Sequence, residues 1–178
     1  GCDTEGHLGC LDGGGITVAV MAHGLDKVSP ARNRPLADRI LSEGGCLISE
    51  YPLGTEARRH HFVERDRLQS GLSDAVVVAE TGLKGGSMHT VGFCEAQGRE
   101  LRCIKHPEGK GDVPSAEGNR MLIESGRAQP LSDKADVAAL VELLRSRNGG
   151  VPEPEGEQIQ KPLASEANQL GLQFENDE

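Results

Sequence analysis

The residues of this chain best suited to chemistry on an anion are a glycine pair followed by a serine and a threonine. They stand in Gly85-Gly86-Ser87-Met88-His89-Thr90, shortly after the apolar run Ala75 to Ala79. A glycine pair can take positive φ and lets another molecule approach the backbone, and the amides of a helix's first turn have no partner within the helix. The helix dipole adds partial positive charge at the same point, so phosphate is the natural guest. A tight strand-to-helix turn would use the same glycines for geometry alone, and the spacing leaves both readings open. A second stretch, Arg58 to Arg67 (RRHHFVERDR), sets four arginines and two histidines around Phe62. Cations beside one aromatic suit a polyanion with a base to stack. A solvated amphipathic helix in which Glu56, Glu64 and Asp66 partner the arginines is the plainer alternative. His7 with Asp3 offers a proton-transfer pair or part of a metal site, but two such residues on one segment with no third partner read as structural. His89 can face a phosphate or solvent. Glu80 can hold a ribose hydroxyl or cap its loop, and the structural use is preferred. No catalytic residue is assigned.

These groups need elements to position them. Ala75 to Ala79 is apolar and β-branched, as in a strand buried on both faces of a parallel sheet, and Glu80 to Gly86 is the loop at its carboxyl end. From Ser87, an N-cap candidate, the pattern turns helical, with Met88, Val91, Cys94 and Ala96 available to one face. Upstream, Ile16 to Met21 reads as a strand ending in the loop His23-Gly24-Leu25-Asp26. Pro30 and Pro35 bracket a helix start, with Leu36, Ile40 and Leu41 as its apolar face and Gly44-Gly45 as its stop. Cys46 to Ser49 is a short strand closed by Glu50-Tyr51-Pro52. Downstream, Leu101 to Ile104 is a further strand that delivers Lys105 to the same edge as Lys84. A helix follows over Asn119 to Glu124, and another is capped by Asp133 and faced by Val137, Leu140, Val141 and Leu144. Gly1 to Cys10 is polar and glycine-rich and carries no strand. A doubly wound fold normally begins with one, so the domain is read as lacking its first strand.

The chain has 178 residues, no Trp, one Tyr and three Phe, so its core must come from Val, Leu, Ile and Ala, as in parallel α/β proteins. One core is expected at this length. No apolar run is long enough for a membrane span, and nothing resembles a secretion signal, which points to a soluble, cytoplasmic protein. The five cysteines show no CxxC spacing, so they read as reduced thiols rather than a disulfide framework or zinc site. The net charge of −9 argues against a generic nucleic-acid binder. Its distribution matters more than its sum, because from Val151 seven acidic residues oppose Lys161 alone. Residues 1–148 are expected to form one Rossmann-like, three-layer α/β domain with a mostly parallel sheet, and 149–178 an acidic, disordered tail.

The order of motifs resembles the DprA/Smf DNA-processing proteins. Their GxDxxAH segment, glycine turn and TxAVxxxGLD strand find counterparts in GCDTEGH, GGG and TVAVMAHGLD. SEYPxG is present from Ser49 to Gly54, and FxxRNRxxxGLS corresponds to Phe62 through Ser73. The SGSxxTA loop corresponds to Gly85 through Val91, and GxNxLIxxGA to Gly118 onward. The resemblance implies a Rossmann-like domain that dimerises, binds single-stranded DNA, delivers it to a RecA-type recombinase during DNA uptake, and uses no cofactor. Carried over, the phosphate-facing loop is Gly85, Gly86, Ser87 and Thr90, with Arg65 and Arg67 supplying charge and Phe62 stacking; Lys84 and Lys105 join the candidate site from their place at the strand ends rather than from the resemblance. Asp66 replaces the family's asparagine, Gly85 its first serine and Val91 its alanine, and Arg127 intervenes before Ala128. A nucleotide-binding or sensing protein of the same superfamily is the alternative. An enzyme similar to the nucleotide phosphoribohydrolases would need a PGGxGTxxE motif, which this chain lacks, Glu95 lying too far along the helix.

Overall fold

The structure, a computed structural model, describes residues 1–107 and 113–147. The acidic tail expected over 149–178 lies outside them. The chain forms two compact units, Gly1–Arg65 and a second that begins at Asp66.

In the first unit, α1 (Cys2–Asp12) leads to β1 (Val18–Val20), a 3-10 turn (Ala31–Asn33), α2 (Arg34–Ser42), β2 (Cys46–Ile48) and the first half of α3 (Arg59–Gly71). β1 and β2 pair in parallel, Val18 opposite Cys46 and Val20 opposite Ile48. A parallel pair needs a crossover, and α2 supplies it, with Pro35 in its first turn where a missing N–H costs nothing. Leu11, Ala19 and Ile40 form the buried cluster, with Met21, Leu36 and Leu47 packed on it. Leu41, expected on the same face, is exposed. The glycine-rich opening is a helix rather than an irregular lead-in. Its own sequence does little for it, since Gly6 and Gly9 disfavour helix and only Leu11 is buried. Contacts made elsewhere hold it: His7 Nδ1 shares a 2.7 Å hydrogen bond with Thr17 Oγ1, and Arg39 reaches Asp12 at 2.9 Å.

The second unit takes the rest of α3, then β3 (Ala75–Val78), α4 (Ser87–Ala96), β4 (Glu100–Ile104), α5 (Glu117–Glu124), β5 (Gln129–Leu131) and α6 (Lys134–Arg147). Its sheet runs β3-β4-β5 with every pair parallel, Val78 opposite Cys103 and Ile104 opposite Leu131. Along β4 burial alternates, Leu101 and Cys103 facing in. They join Val78, Val91, Cys94, Leu122 and Ala128 in one apolar cluster. Burying each of its larger side chains contributes about 1.5–3 kcal/mol. At the other end of β4, Glu100 pairs with Arg102 at 3.0 Å and with Arg147 of α6 at 2.9 Å. Asp133 caps α6, its Oδ1 accepting from the amides of Ala135 and Asp136 at 2.8 and 3.1 Å.

The α/β class with parallel pairing agrees with the sequence reading, and four corrections apply to this unit. Val77 is 48 % exposed, so β3 is not buried on both faces. Gly86, not Ser87, is the N-cap of α4, and no side chain caps that helix. β5 is a strand that no apolar run announced; Pro130 sits in it because the strand lies at the sheet's edge. On α6 only Leu140 of the expected face is buried, while Val137 and Val141 are exposed.

Candidate nucleic-acid interface

The loop after β3 is built around Thr81, which is 4 % exposed. Its N–H donates to Asn119 Oδ1 at 2.9 Å, and its carbonyl accepts the Gly118 N–H at 2.8 Å. Gly85 is required here for space rather than for left-handed backbone. A Cβ on it would lie 2.3 Å from Thr81 Oγ1, and neither Gly85 nor Gly86 has positive φ, contrary to what the glycine pair suggests. Gly86 faces open space, with nothing within 4 Å of where its Cβ would stand. The Gly85 N–H turns back to Gly82 O at 3.0 Å, while Met88 and His89 donate to Gly85 O and Gly86 O. Among the described residues the amides of Gly86 and Ser87 donate to no protein group. Ser87 and Lys84 are exposed beside them, with Thr90 one turn on and half-buried.

Lys105 leaves the neighbouring strand end exposed, its own amide tied to Leu131 O at 2.9 Å, and His106 Nε2 bonds Ala79 O at 3.1 Å. Neither Lys84 nor Lys105 forms an ion pair among the described residues. One edge of the three-stranded sheet thus carries two open amides, a hydroxyl and two ammonium groups. Arg67 belongs to this unit and is exposed, and Gln97 Nε2 donates to its carbonyl at 3.0 Å.

Phe62 and Arg65 lie in the first unit, on α3. Phe62 is 45 % exposed, and the Arg65 guanidinium carbon stands 5.8 Å from its ring centroid. Arg65 Nη1 donates to Val20 O at 2.6 Å, which anchors it to the carboxyl end of β1 and orients it over the ring. One turn earlier, Tyr51 stacks on the buried His61 at 4.1 Å and its hydroxyl donates to Glu64 at 2.8 Å. Below α3 the loops after β1 and β2 are joined. Ser49 Oγ donates to His23 O at 2.7 Å, the Gly24 N–H to Thr55 O at 3.0 Å, and the Gly54 N–H to Asp26 Oδ1 at 2.7 Å. That last bond holds the Asp26 carboxyl below its usual range. A Cβ on Gly24 would stand 2.5 Å from Pro52 O.

The structure therefore brings Phe62 to Arg65, and separately groups Lys84, Gly85, Gly86, Ser87 and Thr90 on one loop and helix start, with Lys105 at the adjacent strand end. His7 is structural: burial pushes its imidazole below the ordinary range while Asp3 pulls the other way. No group of three or more metal-ligating side chains occurs among the described residues. Sequence reasoning gave no role to Thr81 or Asn119; a buried asparagine inside an otherwise amphipathic helix was the signal for the latter. Two departures from the family pattern have structural reasons. Val91 is fully buried in the core, and Arg127 makes a bidentate pair with Glu95 at 2.7 and 2.8 Å while Ala128 stays buried.

A parallel α/β protein with open main-chain amides at its strand ends is what the fold and site define. Residues 1–142 match the family described as DNA recombination-mediator protein A, and the chain belongs to that family. It is 37% identical over 126 residues to Protein Smf of Escherichia coli (strain K12), covering 71% of this chain and 33% of that protein. To the DNA processing protein DprA of Streptococcus pneumoniae (strain ATCC BAA-255 / R6) it is 36% identical over 104 residues, covering 58% and 36%. The chain spans about a third of the length of these curated relatives. Among solved structures it is similar to DprA from Streptococcus pneumoniae, with TM-score 0.68 and 32% identity over 78% of this chain and 47% of that one. DNA processing protein A from Helicobacter pylori, described for its single-stranded DNA binding mode, shares the fold at TM-score 0.63 and 24% identity, over 71% and 56%. No helix among the described residues is long and apolar enough to cross a membrane.

Proposed function

We propose that this chain binds single-stranded DNA and, as a member of a recombination-mediator family, hands it to a RecA-type recombinase as a homodimer. The observation that carries the reading is the pair of open amides at Gly86 and Ser87, flanked by Lys84 and Lys105. Fixed N–H groups and exposed ammonium groups take phosphates without reading sequence. The exposed Phe62 ring supplies a stacking platform that a free phosphate would not need, and Arg65 beside it adds charge. The single-stranded DNA binding in the description of the Helicobacter pylori relative agrees with this reading. Binding and delivery require no bond to break, so the reading assigns no catalytic residue and no cofactor.

Oligo-dT titrations across a salt series test it. Each phosphate held releases condensed counterions, so log affinity falls with log salt by about 0.7 per contact. Four to six contacts would give a slope between roughly −3 and −4. A protein that ignores single strands at low salt yet binds a mononucleotide in calorimetry would replace this reading with that of a nucleotide binder.

A further inference from the structure

A carboxamide offers two donors and an acceptor with two lone pairs, and a buried one must place them all. Asn119 is 1 % exposed. Its Oδ1 takes the Thr81 N–H at 2.9 Å, and its Nδ2 donates to Ala79 O at 2.9 Å and Ile104 O at 3.1 Å, with Val78 O at 3.3 Å sharing a proton. The last β3–β4 partners are Val78 and Cys103. Asn119 therefore stands where the ladder ends and bonds both strands one residue beyond that last pair. The residue before it grips the same loop from the other side. The Gly118 N–H donates to Thr81 O, and a Cβ at 118 would meet that oxygen at 2.5 Å and Gly82 O at 2.8 Å. Thr81 is thus held at its N–H and its carbonyl by successive residues of α5, and its hydroxyl lies against Gly85, next to the open amides.

We infer that Asn119 is a positioning residue: through Thr81 and Gly85 it sets where the amides of Gly86 and Ser87 point, and it touches no phosphate itself. The inference rests on the reading of that loop as the phosphate site. The geometry gives α5, whose start lies more than thirty residues along the chain from the loop, control of anion affinity. Any change that shifts α5 moves the amides with it.

The test measures oligo-dT affinity and amide hydrogen exchange on the full chain at a temperature well below unfolding. Three variants are compared: Asn119→Ala, Gly118→Ala, which presses on Thr81 without deleting a side-chain bond, and Leu140→Ala, a control at a buried position of α6. The expected result is roughly tenfold weaker binding for Asn119→Ala and Gly118→Ala, with faster exchange confined to residues 79–88. Leu140→Ala should lower the melting temperature and leave affinity per folded molecule unchanged. If Asn119→Ala fails to fold, Gly118→Ala carries the test. Affinity in the Asn119→Ala and Gly118→Ala variants equal to wild type would overturn the inference. Ser87→Glu separates the two layers. It places a carboxylate at the amides, so if it leaves affinity untouched, the loop is not the phosphate site and the positioning role falls with it. If it abolishes binding while the Asn119 and Gly118 variants bind normally, only the positioning role falls.

Discussion

The first unit joins its parts mainly by polar bonds between loops and helices; the second closes on apolar side chains. Leu11, Ala19 and Ile40 are the whole buried cluster of the first, whereas six residues from two strands and two helices, with Ala128 as a seventh, make that of the second. The groups proposed for binding divide along the same line. Phe62 is an exposed side chain on α3, and Arg65 beside it is tied to Val20 O. The amides of Gly86 and Ser87 are main chain, fixed by a loop pinned at Thr81. The difference teaches that the groups proposed for stacking and for phosphate come from differently packed units, the first as side chains and the second as main chain.

The largest expected contrast is in thiol reactivity. Cys2 and Cys46 of the first unit are exposed, while Cys94 and Cys103 of the second are buried, burial pushing the Cys103 thiol up to about 11. At neutral pH, alkylation followed by mass spectrometry should label Cys46 at least about a thousandfold faster than Cys103, which reacts only through unfolding. Comparable rates would erase the distinction between the units. Next, Leu122→Ala should destabilise by about 2–5 kcal/mol in denaturant titration, because it leaves a cavity at the centre of the larger cluster.

Binding sharpens the comparison further. Phe62→Ala should weaken oligo-dT binding by about 1–3 kcal/mol with the salt slope nearly unchanged, since stacking releases no counterions. Arg67→Ala should instead flatten the slope by about 0.7, one contact. A Phe62 variant that changed the slope, or an Arg67 variant that did not, would reverse these assignments. The smallest effect concerns Glu95. Its bond with Arg127 holds the carboxyl below the usual glutamate range. The stabilisation is present above the ordinary pKa and disappears as pH falls through the lowered one. With both side chains more than a third exposed, it is worth no more than about 0.5 kcal/mol. Glu95→Gln should therefore lower the melting temperature slightly at pH 7, and the difference should vanish as pH falls through that lowered value.

The strands at Val18, Leu47, Val77 and Arg102 were legible because β-branched or apolar runs bounded by glycine and proline leave few alternatives. α6 was legible from Asp133 and its leucine spacing. α1 was not, because two interior glycines and a single buried side chain erase the helical pattern, and its support comes from Thr17 and Arg39, distant in sequence. β5 was hidden by Pro130. The loop residues Gly85 to Thr90 could be named from their types, but not the reason for Gly85. Its need for space depends on Thr81, and Thr81's place depends on Asn119. Nor could any spacing rule show that Arg65 would spend one nitrogen on Val20 O while lying over Phe62.

The joined loops after β1 and β2 carry a consequence for how this surface can be inherited or rebuilt. Gly24 fits only against the Pro52 carbonyl it now faces, and Asp26 holds a loop that reciprocates through Thr55. Neither segment can be exchanged alone for one that lacks Gly24, Asp26 or Gly54 without leaving an orphaned amide, a clash or strained backbone. Substitutions in 23–26 and 49–55 will therefore be epistatic, with coupling energies of about 0.5–3 kcal/mol. A graft that keeps this surface intact must transplant both segments as one cassette.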